Sequence, residues 1–106
     1  MATINVYTES TPNPSTMKFL VNKLLINGSL DYPNSEKAQE SDFARELFKF
    51  NFVSGVFFAS NFVTITKTDD ADWSDIEALL KDFVKGAVES ELAVKPVEHT
   101  EEVDFE

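Results

Sequence analysis

Apolar and polar positions alternate twice near the start of the chain. Ile4 and Val6 against Asn5 and Tyr7 predict a short strand with the aliphatic pair inward. Met17, Phe19 and Val21 against Lys18, Leu20 and Asn22 predict a second half-buried strand. Between them runs Thr11-Pro12-Asn13-Pro14. Each proline fixes φ at about −65° and removes a backbone donor, and each biases the residue before it toward extended geometry. The segment is therefore a stiff arch that leaves one strand and cannot itself enter a sheet. Turn signals at Asn27-Gly28 and Pro33-Asn34 bracket Leu30 and Tyr32, which suit a short edge strand.

The period then changes. Ser41 precedes Phe43, Ala44, Leu47 and Phe50 at helical spacing, with Asp42 and Lys49 placed to suit the helix dipole. The text FVSGVFFASNFVTITK predicts a hairpin. A two-residue turn at Ser60-Asn61 pairs Ala59 with Phe62, Phe58 with Val63, Phe57 with Thr64 and Val56 with Ile65. Val56, Phe58, Val63 and Ile65 then form the core face, and Phe57, Ala59, Phe62, Thr64 and Thr66 the opposite one. Asp72 is the expected N-cap of a long final helix, whose apolar stripe is Trp73, Ile76, Leu80, Phe83, Val84 and Ala87. The order strand-strand-helix-strand-strand-helix predicts an α+β domain: a two-layer antiparallel sheet with two helices packed on one face. Residues 1–88 form that domain, and residues 89–106, where periodicity fades, read as an acidic tail or the start of an interdomain linker.

Charge sharpens this division. The chain's net −10 splits into −4 over residues 1–88 and −6 over residues 89–106. Such a balance argues against nucleic acid and against anionic membranes, both of which need clustered Lys and Arg. No apolar run reaches the length of a membrane-spanning helix, and MATINVYTES has no signal-peptide pattern. The expected location is the cytoplasm, or the mitochondrial matrix for a processed eukaryotic protein.

Little of the chain suits catalysis. Cysteine is absent, which excludes thiol chemistry and thiolate-held metals or clusters from this chain. The single histidine, His99, lies in the acidic tail without an orienting partner. Asp69, Asp70 and Asp72 lack the glycine and later glutamate of a calcium loop, and capping explains them. The chain reads as no enzyme. What stands out is the face carrying Phe57 and Phe62, which Leu20 could extend, because an open antiparallel face is normally polar.

TPNPSTMKFLV, DFARELFKFNFVSGVFFASNFVTITK and DWSDIEALLKDF, in that order, resemble the N-terminal domain of Nfu/NifU-type iron–sulfur cluster scaffold proteins. The likeness covers residues 4–88. It implies an accessory domain in cluster assembly or delivery that holds no cofactor or metal itself. The iron–sulfur cluster is implied only on a separate C-terminal Cys-x-x-Cys domain, which would be one partner. Apo iron–sulfur proteins or maturation factors would be others. No catalytic, cofactor or metal residues carry over. The candidate partner-binding residues are Thr11, Pro12, Asn13, Pro14 and Lys18 in the signature segment, with Phe57 and Phe62 from the hairpin. A chain stopping before any cysteine motif is expected to be one domain of a longer protein. Two other readings compete: a stand-alone interaction or regulatory module unrelated to clusters, and an iron-delivery domain using tail carboxylates.

Overall fold

The computed structural model describes residues 3–94. Five strands form one antiparallel sheet: β1 (Val6–Ser10), β2 (Thr16–Val21), β3 (Ser29–Tyr32), β4 (Val53–Ala59) and β5 (Phe62–Lys67). Their spatial order is β1-β2-β5-β4-β3. A 3₁₀ turn at Lys37–Glu40 leads into α1 (Asp42–Phe48), and α2 (Trp73–Glu89) follows β5. The α+β fold expected from the sequence is the fold observed. The edge strand expected around Leu30 and Tyr32 is β3, at one edge of the sheet.

Alternation fixes which side of the sheet is covered. Phe19, Val21, Tyr32, Val56, Phe58, Val63 and Ile65 are buried on one face. Against them lie Phe43, Ala44 and Leu47 of α1 and Ile76, Leu80, Val84, Ala87 and Val88 of α2. Each fully buried aliphatic or aromatic side chain there contributes roughly 1.5–3 kcal/mol. The hairpin has the expected register, Ala59 opposite Phe62 through Val56 opposite Ile65. Ser60 takes φ 52°, the left-handed sign that a two-residue hairpin turn demands at its first central residue. At the far end the register shifts between Val53 and Gly55. There a Cβ on Gly55 would stand 3.3 Å from the Thr66 Cβ, a close approach that the missing side chain relieves.

Both helix starts use the expected caps. The Ser41 hydroxyl accepts from Ala44 N–H at 3.2 Å and the Asp72 carboxylate from Ser74 N–H at 3.2 Å. Helix α1 ends at Phe48, two residues short of Phe50, whose ring stacks on Phe52 and meets Phe83 edge-on. Of the expected α2 stripe, Trp73 and Phe83 are only half-buried.

The packed chain continues past Val88. Glu91 adopts φ 58°, and Leu92 N–H donates to Ala87 O, closing the helix in the manner of a left-handed C-terminal cap. The chain then turns back over the start of α1. Phe43 N–H donates to Ala93 O at 2.9 Å, Ser41 Oγ donates to Val94 O, and Val94 is buried. The segment 91–94, read from sequence as tail, thus supplies acceptors to α1 donors that have no partner within the helix. His99 and residues 95–106 lie outside the described residues.

Candidate functional site

The sheet's second face carries a cross-strand ladder. One row runs Tyr7, Leu20, Phe62, Ala59 and Ser29 across all five strands, and the next runs Glu9, Lys18, Thr64, Phe57 and Asp31. Both helices bury their apolar residues on the other face. Leu20, Phe57 and Phe62 are half-buried, and among the described residues none belongs to the core cluster. Tyr7 is 60% exposed. The Phe57 and Phe62 ring centroids stand 6.4 Å apart with the planes tilted 44°, within the range of attractive aromatic pairs.

Lys18 sits at the edge of this patch. Its Nζ lies 4.4 Å from the Phe62 ring centroid and 3.9 Å from a Glu9 carboxylate oxygen. The ammonium therefore covers one face of the ring through a cation–π contact, and its charge is offset by the glutamate. The result is an apolar centre of Tyr7, Leu20, Phe57 and Phe62 with threonines and a few charges around it. A surface with this composition suits contact with another protein.

The proline arch is a separate feature. Thr11 Oγ1 donates to Asn13 O at 2.8 Å and hydrogen-bonds with Thr16 Oγ1. Asn13 Oδ1 accepts from Ser15 N–H at 2.9 Å, an Asx turn within the arch. Pro14 O accepts from the Trp73 indole N–H at 3.0 Å. Trp73 thus ties the arch to the helix layer. Pro12, Asn13 and Pro14 are exposed, yet the Asn13 side-chain oxygen is already engaged. The structure brings Lys18, Phe57 and Phe62 together and leaves Thr11, Pro12, Asn13 and Pro14 at the strand ends. Tyr7 completes the patch and was not singled out from the sequence, although its alternation with inward Val6 places it on the same face as Leu20.

Nothing in this geometry can hold an iron–sulfur cluster by thiolates, because the chain has no cysteine. Among the described residues no group of three or more His, Asp or Glu is arranged to hold a metal ion. Also among them, no helix is long and apolar enough to cross a membrane.

Comparison with known proteins agrees with the fold and the motifs. The N-terminal family model of scaffold protein Nfu/NifU matches residues 6–91. NifU-like protein 5, mitochondrial, of Arabidopsis thaliana is 43% identical over 76% of this chain and 31% of its own length. The human NFU1 iron-sulfur cluster scaffold homolog, mitochondrial, is 38% identical over 74% of this chain and 33% of its own. The chain thus spans about a third of the length of these relatives. In fold it is similar to the solution structure of a NifU-like protein from Saccharomyces cerevisiae. That likeness has a TM-score of 0.75 at 22% identity and covers 90% of this chain and 87% of the yeast one. With the family model spanning every strand and both helices, the chain belongs to the Nfu/NifU scaffold-protein N-terminal family.

Proposed function

We propose that this chain is a non-catalytic accessory domain of an iron–sulfur cluster scaffold or carrier and works through protein contacts. The cluster is held outside it, on a separate C-terminal domain with a Cys-x-x-Cys motif. The observation that carries this reading is the outer sheet face. A family domain without thiolate ligands acts on cluster traffic through a surface, and the apolar patch of Tyr7, Leu20, Phe57 and Phe62 is the surface suited to it. Its partners are the cluster-holding domain of the same protein and apo iron–sulfur proteins or maturation factors; nucleic acid and membrane are not among them. The mitochondrial names of the relatives favour the matrix for a eukaryotic source; for a bacterial source the reading is the cytoplasm.

The test is a titration of isotope-labelled domain with the cluster-holding domain of its own protein, followed by amide chemical shifts. Perturbations centred on β1, β2, β4 and β5 around those four residues are expected. Perturbations confined to α1 and α2 would overturn the assignment of the surface.

A further inference from the structure

The Asn27-Gly28 pair is one turn signal that the partner surface does not use. We infer that Asn27 is a site of spontaneous deamidation, a chemical modification that adds a negative charge at the start of the edge strand β3. Seven asparagines occur in the chain, and Asn27 alone is followed by glycine. The reaction needs the next residue's amide nitrogen to reach the asparagine side-chain carbon, so a following side chain or a fixed amide slows it.

At this position neither obstacle is present. Asn27 and Gly28 are both exposed, and an added Cβ on Gly28 would meet nothing within 4 Å. Gly28 has φ 96°, a conformation open to glycine. Among the described residues, no hydrogen bond engages the Asn27 side chain, and none outside the strand ladder engages the Gly28 N–H. Four of the other six asparagines are held, and the remaining two, Asn5 and Asn51, precede valine and phenylalanine. Asn13 accepts from Ser15 N–H, Asn22 bridges Thr3 and Asn5, Asn34 accepts from Lys37 N–H, and Asn61 donates to Val21 O. Asn34 is the useful internal reference, since it is exposed, precedes serine and has its side-chain oxygen fixed.

The chemistry balances with water as the only co-reactant. The Gly28 amide nitrogen gives its proton to solvent base and bonds to Asn27 Cγ. The Cγ–Nδ2 bond breaks, ammonia leaves, and a cyclic imide remains. Water then opens the ring at either carbonyl, leaving aspartate or isoaspartate. Both products carry a carboxylate, and isoaspartate also lengthens the backbone by one carbon immediately before the Ser29–Ala59 pair.

The test ages the full chain in mildly alkaline buffer and follows it by isoelectric focusing, peptide mass mapping and an isoaspartate methyltransferase assay. The expected result is an acidic species shifted by one charge, with the change localised to Asn27, isoaspartate present, and Asn34 modified far more slowly. Asn27→Gln should abolish that species while leaving the circular dichroism spectrum unchanged. An unmodified Asn27 after the urea-unfolded chain has deamidated there would overturn the inference. So would an acidic species that persists in Asn27→Gln, or equal modification of Asn34.

Discussion

Trp73 reaches from the first turn of α2 to the proline arch and donates its indole N–H to Pro14 O at 3.0 Å, while its ring tilts against Phe19 with centroids 6.2 Å apart. One side chain therefore joins the arch, the second strand and the last helix. Because the ring is half-buried, Trp73→Ala should cost about 2–4 kcal/mol, toward or below the low end of values for buried aromatics. Trp73→Phe keeps most of the packing and loses the donor, and should cost about 1 kcal/mol. Denaturant unfolding of the two variants checks this. A Trp73→Phe variant as stable as the native chain would show that the hydrogen bond contributes nothing. Equal losses in the two variants would show the same of the ring packing.

The return of the chain over α1 gives a second prediction. Chains ending at Val94 and at Glu91 differ by Leu92, which packs on the core, and by Val94, which is buried. They also differ in the acceptors of Phe43 N–H and Ser41 Oγ. The shorter chain should be less stable by about 2–4 kcal/mol. Indistinguishable midpoints for the two chains would mean that residues 92–94 add nothing to the fold.

Tyr32 gives a third, through pH. Its hydroxyl donates to Glu40 Oε2 at 3.1 Å. Burial, reinforced by the Glu40 carboxylate, pushes the phenol up from an ordinary value of 10.0 to about 12. A folded-state value above the unfolded one means that the unfolded chain loses this proton first as pH rises. The contribution to stability is then fully present below pH 10 and lost as pH climbs toward 12. Alkaline unfolding of the native chain should follow this window. Tyr32→Phe, which has no proton to lose, should shift the alkaline midpoint upward at a cost of about 1 kcal/mol near neutrality. An unchanged midpoint would remove Tyr32 from the alkaline transition.

Much of this fold is legible in the residue pattern, and the parts that are not have physical causes. The hairpin register follows from the period-two alternation and the short turn, because any one-residue slip would bury Thr64 and expose Val63. The caps Ser41 and Asp72 are legible because short polar side chains ahead of apolar helical runs have few other uses. The role of segment 91–94 is not legible: Leu92 and Val94 follow two glutamates, and the fold-back is explained by the donors of Ser41 and Phe43 together with the core that receives Leu92 and Val94. Ala38, fully buried in the 3₁₀ turn, is equally silent in sequence, since one alanine among polar residues has no period. For the site, alternation alone placed Phe57 and Phe62 together on the outer face. It could not show that Trp73 would hold the arch toward the helices, a contact between residues far apart in the chain.

The central claim is that Phe57 and Phe62 serve contact and not the core. The double variant Phe57→Ser with Phe62→Ser tests it in one preparation, by a denaturation curve beside a binding titration with the cluster-holding domain of the same protein. Each ring is half-buried on the face opposite the helices, so the pair should cost about 1–2 kcal/mol. Phe58→Ala, one residue away and fully buried, should cost about 3–5 kcal/mol. The account predicts a folded double variant whose affinity for the partner falls at least about tenfold, the change that 1.4 kcal/mol of lost binding produces. A double variant that unfolds like Phe58→Ala, or one that folds and binds with native affinity, would contradict it.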